Sequence, residues 1–379
     1  MAKQGENSKE TRRIRYAVVG LGHISQVAIL PAFQHAENSE LVALVSDDEK
    51  KRQELKQRHG IEKTFAYTEY DQCLSSGVDA VYIAVPNHLH KEYAVRAARA
   101  GVNVLCEKPM AVNEAECREM MEAAEQARVK LMVAYRLHFE KGNLEAIKIA
   151  SSGKIGDARY FTSEFSQQVA EGNIRVNYPP EQGGGPVFDM GVYCINAARY
   201  LFGDEPVEVL AASESREQER FSKSEEMTSF ILRFPHNRLA SITCSFGAAD
   251  ISRYTLVGDE GTLTADPAYE YAAAIKHQLV IGEKKRQRTF AKRDQFAAEL
   301  VYFSDCILRD KEPEPSGLEG LADVRIVNAI YESARTGKSV RIEPIAAKPR
   351  PSLAQEIHRP PINKPPKPVH AASPEGEAA

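Results

Sequence analysis

The sequence predicts an α/β protein in two parts. A doubly wound parallel sheet comes first, followed by an α+β domain with a large, open, mostly antiparallel sheet. Three observations carry this. Short, near-continuous apolar runs alternate with helical stretches up to residue 135, as in parallel strands covered on both faces. After residue 136 the runs lengthen and alternate with period two, as in strands with one wet face. The chain has 379 residues, 43% of them apolar, which is enough for two cores.

Residues 1–13 are polar and read as an arm. Residues 14–19 (IRYAVV) form the first strand, a β-branched run that ends at Gly20. A helix over 25–36 leads to a second run at 41–45, then a charged helix over 49–59. A short strand at 64–67 and a helix at 69–76 follow. Residues 79–85 (DAVYIAV) are a buried strand stopped by Pro86. The helix over 90–100 ends at Gly101, and the next strand is 102–106. A helix over 113–128, capped by Asn113, and a strand at 130–134 complete a first domain of residues 14–135.

The second domain spans 136–345. It opens with a helix at 140–152 and continues with strands at 158–168, 205–213, 226–234, 238–246, 251–257 and 277–282. Helices at 188–202, 292–310 and 319–336 are expected to pack on one face of this sheet, leaving the other free for a partner. Residues 344–379 hold nine of the chain's 20 prolines. The tail, 346–379, is therefore expected to be disordered or to lie as an extended arm.

Composition narrows the function. Lys+Arg number 49 against 53 Asp+Glu, a net charge of −4, which gives no drive toward nucleic acid. No apolar run approaches the ~20 residues of a membrane helix. The first residues, MAKQGENSKETRR, lack the apolar stretch of a secretory signal. Six scattered cysteines form no zinc-spaced cluster, so no metal is expected and a cytoplasmic setting is.

Five stretches carry chemistry. Gly20-Leu21-Gly22-His23-Ile24-Ser25 follows the first strand and opens a helix. Gly20 allows the tight turn and Gly22 lets a pyrophosphate approach the backbone, so this is a dinucleotide-binding loop of Rossmann type with Ser25 in the third glycine's place. At the end of the second strand Ser46 stands where an acidic residue would hold a ribose diol, and Lys51 follows. A hydroxyl and a lysine suit a 2′-phosphate, which favours NADP(H); Asp47 keeps NAD(H) open. Pro86, Asn87 and His90 lie past the end of a buried strand, where ligands of open α/β sheets bind. Glu107-Lys108-Pro109 ends another strand, and a lysine before proline is held extended, aimed at the crevice. Finally a triple-glycine loop, 183–185, leads into a helix on which Asp189, Tyr193 and Asn196 share a face.

The order of GLGHIS, AVPNHLH, CEKP and GGGPVFDMGVY resembles the Gfo/Idh/MocA family of oxidoreductases over residues 13–342, nearest its glucose–fructose oxidoreductase branch. The branch resemblance rests on Tyr193, on Tyr135-Arg136-Leu137-His138-Phe139-Glu140 and on Ser46 with Lys51. It implies a catalytic lysine at Lys108 and a helix-borne aspartate at Asp189. It also implies cofactor contacts from Gly20, Gly22, His23, Ile24, Ser46, Lys51, Pro86, Asn87, His90, Glu107, Lys108 and Arg136. Arg175, in an Asn-Ile-Arg run, is implied as a substrate contact alongside Lys108, Asp189 and Tyr193.

The expected function is hydride transfer between NADP(H) and a sugar or polyol. Tyr193 acts as acid/base, Lys108 stabilises the oxyanion, and Asp189 orients the donors. A homodimer or homotetramer through the second sheet is implied. A non-catalytic NAD(P)-binding sensor or corepressor on the same fold is the alternative, together with a dihydrodiol dehydrogenase or anhydro-sugar reductase.

Overall fold

The computed structural model describes residues 12–216, 219–345 and 351–374. The expected N-terminal arm, 1–13, lies outside the described residues except for Arg12 and Arg13.

Strands β1 (Ile14–Val19), β2 (Ser39–Val45), β3 (Lys63–Phe65), β4 (Ala80–Ile83), β5 (Asn103–Glu107) and β6 (Leu131–Ala134) form a parallel sheet. Its order is β3-β2-β1-β4-β5-β6. The order reverses between β1 and β4, which opens a crevice at the strands' carboxyl ends. Helices α2 (Glu49–His59), α3 (Tyr70–Leu74), α4 (His90–Arg99) and α5 (Glu114–Ala127) connect the strands. Asn113 caps α5 by accepting from the Glu116 amide at 3.0 Å. The helix expected over 25–36 is less regular: a π turn (Ser25–Ile29), α1 (Leu30–Ala32) and a 3₁₀ turn (Phe33–His35). Pro31 has no N–H to continue a regular ladder there.

The second sheet runs β14-β13-β12-β11-β7-β10-β9-β8-β15. Its strands are β7 (Ala158–Ser166), β8 (Glu208–Glu214), β9 (Met227–Phe234), β10 (Arg238–Ser245), β11 (Ile251–Gly258), β12 (Gly261–Ala265), β13 (Ile275–Ile281), β14 (Lys284–Phe290) and β15 (Val340–Arg341). Only β7 and β10 pair in parallel; the other pairs are antiparallel. β9 shows the alternation cleanly: Thr228, Phe230, Leu232 and Phe234 point to the core and their neighbours to solvent. β14 (KKRQRTF) escaped the sequence reading because it is an edge strand, exposed up to Phe290 and charged.

Helices α6 (Lys141–Ser151), α7 (Val192–Phe202) and α9 (Gly317–Thr336) pack beside the second sheet. The fourth, α8 (Gln295–Leu308), corrects an expectation. It returns to the first sheet, where Phe296, Leu300 and Phe303 join Tyr16, Val18 and Leu44 in one core. The Tyr16 hydroxyl meets Ser304 Oγ at 2.8 Å, so α8 has a polar as well as an apolar reason to lie there. No helix among the described residues is long and apolar enough to cross a membrane.

The tail also corrects an expectation. Residues 351–374 are not disordered but lie as an extended arm on the body of the protein. Glu356 pairs with Arg293 at 2.6 Å and with Lys141 at 3.3 Å, and Val369 is buried in the first domain's core. Prolines deny the arm a ladder of its own, yet their fixed φ lowers the entropy lost when it docks.

Candidate active site

The ends of β1, β4 and β5, the triple-glycine loop and the rim of the second sheet enclose one cleft of about 1190 Å³. Gly20 has φ +94°, and a Cβ there would come within 2.5 Å of the Ala84 carbonyl oxygen, so β1 and β4 meet backbone to backbone. A Cβ on Gly22 would meet open space instead. That space adjoins the backbone amides of a helix start, a cradle that fits a dinucleotide pyrophosphate. His23, Ile24, Ser46 and Lys51 line the same wall. Ser25 Oγ donates to the Gly20 carbonyl oxygen at 2.7 Å, which accounts for serine in the third position. Asp47 does not line the cleft; its carboxylate accepts from the Tyr67 amide at 2.8 Å.

Past β4, Pro86, Asn87 and His90 all line the cleft. Asn87 does not cap the following helix. Its amide donates to the Gly183 carbonyl oxygen at 2.7 Å and ties the strand end to the glycine loop. His90 is fully buried, with its ring nitrogens 2.9 Å from the Val85 and Pro109 carbonyl oxygens. Burial pushes it down to about 4 against these two carbonyl oxygens, of which a neutral ring donates to one.

Lys108 leaves the end of β5 with its side chain almost fully enclosed. Its Nζ donates to Asp189 Oδ1 at 3.0 Å and to the Asp189 carbonyl oxygen at 2.8 Å. Arg175 Nε lies 3.2 Å from Asp189 Oδ2. Burial alone would raise the Asp189 carboxyl, but Arg175 and Lys108 reverse this and draw it down to about 2. Burial alone would lower the Lys108 ammonium; Asp189 leads the neighbours that outweigh it and hold it above its usual value.

Tyr193 sits one helical turn on, also facing the cleft. The centre of its ring is 4.9 Å from Lys108 Nζ and 4.9 Å from the Arg136 guanidinium carbon. Arg136 is buried and fixed by the Gln295 side-chain oxygen and, at 2.6 Å, by the Tyr269 carbonyl oxygen. It therefore stands beside the phenol as well as on the wall of the cleft. Behind Lys108, the Tyr82 hydroxyl donates to Glu107 Oε1 at 2.8 Å and lies 3.5 Å from Glu299 Oε2. Burial raises both carboxyls, Glu299 well above the usual range.

The shared helix face expected for Asp189, Tyr193 and Asn196 is split. Asp189 belongs to a π turn (Val187–Gly191) and Tyr193 to α7. Asn196 turns away to Asp323, in a buried group where Arg199 pairs with Asp323 at 2.7 Å and Glu205 at 2.7 Å. The π turn changes the angular phase that a continuous α-helix would keep. Sequence reasoning also missed Phe165, Gln167, Glu270 and Tyr271 on the far wall, and His370, Ala371, Ala372 and Pro374 of the arm. The aromatic run Tyr269-Glu270-Tyr271 was a usable signal; the arm residues gave none. Among the described residues, no group of three or more His, Cys, Asp or Glu is placed to hold a metal ion.

Residues 14–135 match the oxidoreductase family with an NAD-binding Rossmann fold, GFO/IDH/MocA, and residues 143–264 match the GFO/IDH/MocA C-terminal domain. The chain is 30% identical over 352 residues to a D-xylose 1-dehydrogenase (NADP(+)) of Haloarcula marismortui, covering 89% of this chain and 96% of the relative. It is 25% identical over 332 residues to a trans-1,2-dihydrobenzene-1,2-diol dehydrogenase of Xenopus laevis, covering 84% and 96%. Its fold superimposes on the crystal structure of an aldose–aldose oxidoreductase from Caulobacter crescentus in complex with glycerol. The TM-score is 0.83 at 36% identity, over 87% of this chain and 100% of that one.

Proposed function

The chain belongs to the GFO/IDH/MocA oxidoreductase family, and on that premise we propose that it moves hydride between NADP(H) and a hydroxyl or carbonyl carbon of a sugar or polyol. The observation that carries the reading is Tyr193 set between Lys108 and Arg136 on the wall of the cleft, each cation 4.9 Å from its ring centre. The relatives named for D-xylose and for aldoses support the substrate class.

When bound, the nicotinamide supplies or takes up hydride at its C4. The protein's part is proton and charge management. In oxidation Tyr193 takes the hydroxyl proton while Lys108 stabilises the developing alkoxide. Asp189 fixes the Lys108 ammonium, and Arg175, bridged to Asp189, reaches a neighbouring substrate hydroxyl. Arg136 adds a second positive charge beside the phenol. Reduction runs the same steps backwards. Ser46 and Lys51 on the cleft wall, with Asp47 turned to Tyr67, favour the 2′-phosphate of NADP(H) over a free ribose diol.

The open face of the second sheet exposes Tyr160, Leu210, Ile231 and Leu239, each more than 40% accessible. On this reading it is the self-association face of a homodimer or homotetramer. A cytoplasmic setting suits six cysteines that are all buried free thiols.

Initial rates with aldoses and polyols, each with NADP⁺ and NAD⁺, test the proposal. Turnover that favours NADP⁺ and is lost in Tyr193→Phe is the expected result. Nucleotide binding without turnover on any aldose or polyol would overturn it.

A further inference from the structure

The last described residues of the arm cross the mouth of the cleft. Gln26, fully buried in the π turn behind Gly22, bonds the arm as a strand would. Its Nε2 donates to the Val369 carbonyl oxygen at 2.9 Å, and its Oε1 accepts from the Val369 amide at 2.7 Å. Arg58 of α2 donates to the Lys367 carbonyl oxygen at 2.9 Å. The chain then turns at His370, whose φ of +46° is rare for a residue with a side chain. A conformation of that kind persists only where its surroundings over-determine it. Here the imidazole is held by Asp48, with Nδ1 2.9 Å from Oδ2. The other Asp48 oxygen accepts from the Lys51 amide at 2.9 Å.

Beyond His370 the arm reaches the other side of the cleft. The Asn173 side-chain amide donates to the Ser373 carbonyl oxygen at 3.0 Å, and the Ala170 amide donates to the Pro374 carbonyl oxygen at 2.9 Å. Six residues thus join the dinucleotide loop of the first domain to the segment after β7 in the second. The wall they cover is the one carrying Ser46 and Lys51. Both family matches end before the arm, at residues 135 and 264.

We propose that residues 370–374 are a clasp over the adenosine end of the cleft, which slows release of an NADP(H)-type dinucleotide, and that His370 belongs to the 2′-phosphate end of that site. The proposal rests on the cofactor reading above. The clasp acts on release because a bound dinucleotide cannot leave past this end without parting two hydrogen-bonded crossings, at Asp48 and at the Ala170–Asn173 segment. His370 acts on selectivity because it occupies Oδ2 of Asp48, a carboxylate whose charge acts on Lys51. An uncovered Asp48 would oppose a phosphate dianion there and leave a free ribose diol unaffected.

A chain ending at Val369 tests this while keeping the Gln26, Arg58 and core contacts of the arm. The readout is the dissociation of NADPH and NADH, followed by the reduced nucleotide's own fluorescence after displacement with excess oxidised nucleotide. The chain has no Trp to interfere. The shortened chain is expected to release both nucleotides about tenfold faster or more, since closing contacts act mainly on the off-rate. His370→Ala in the full chain is expected to weaken NADPH about fivefold and NADH less than twofold. Unchanged release from the shortened chain, with tight binding in the full chain, would overturn the clasp alone. Equal losses of NADPH and NADH in His370→Ala would overturn the selectivity role. Failure of the full chain to bind either nucleotide would overturn the cofactor reading and the clasp together.

Discussion

Lys108 and Asp189 are joined twice: the ammonium of Lys108 donates to the carboxylate of Asp189 at 3.0 Å and to its backbone carbonyl at 2.8 Å. The backbone bond fixes the ammonium to the π turn itself, so the position of Nζ does not depend on one side-chain rotamer. Lys108 comes from the first domain and Asp189 from the second, so the pair exists only when the two domains are docked. These two bonds leave Nζ of Lys108, which lines the cleft, one further donor, and on the proposed mechanism that donor serves the alkoxide.

Lys108→Ala removes that charge without touching the glycine loop or Lys51. Turnover is expected to fall about 10²–10⁴-fold, the range of a lost acid/base or oxyanion contribution. NADPH affinity, read by fluorescence titration, is expected to change less than about threefold, a contribution below 1 kcal/mol. A parallel loss of nucleotide affinity would place Lys108 in the cofactor site instead.

Tyr193→Phe keeps the ring, which packs against Phe165 at 5.8 Å and Tyr269 at 6.1 Å between centres, and removes only the hydroxyl. kcat is expected to fall about 10²–10³-fold while sugar KM changes little, because the proton is transferred in the transition state. Thermal melting should move by no more than about 2 °C, since no packing is lost. A large KM change with kcat intact would make the hydroxyl a binding group only.

Much of this site was legible because parallel α/β sheets bring strand ends together. Gly20, Pro86 and Lys108 each follow an apolar run, so their convergence on one cleft follows from topology alone. What escaped had non-periodic causes. Asn196 was misplaced because its amide bonds the buried Asp323 of α9, a partner distant in sequence that helical spacing does not show. α8 carries an apolar stripe that fits either sheet, and its choice of the first, seen in the shared core and the Ser304–Tyr16 bond, joins residues far apart in sequence. The arm's binding groups are mostly backbone atoms of Lys367, Val369, Ser373 and Pro374, and backbone groups look alike in every sequence.

Lys51→Glu tests how the 2′ end of the dinucleotide is read. Lys51 lines the cleft half-buried, where burial already lowers its pKa and the Asp48 charge partly restores it. Reversing the charge is expected to raise KM for NADP⁺ about tenfold or more and to leave KM for NAD⁺ within about twofold, because only NADP⁺ presents a dianion there. Equal effects on both would mean that the phosphate is not read at this position.

Asp189→Asn carries a pH signature. The ordinary aspartate value is 3.8, and Arg175 and Lys108 hold the folded carboxyl down to about 2 against the opposing effect of burial. A depressed acid binds fewer protons when folded, so its stabilisation is fully present above the unfolded value and is lost as pH falls through the folded one. The window is therefore about pH 5 down to about pH 2, and the full contribution is roughly 2 kcal/mol at neutral pH. In urea unfolding, wild type and Asp189→Asn should differ most at pH 6–7 and converge in acid. Any residual gap at low pH measures the difference between a neutral carboxylic acid and an amide at this position, because both chains then lack the carboxylate. A gap that stays constant from pH 6 to pH 3 would show that the carboxylate is not held by these two cations. The same depression keeps Asp189 ionised throughout the working range, so an acid limb in turnover near neutral pH must come from another group.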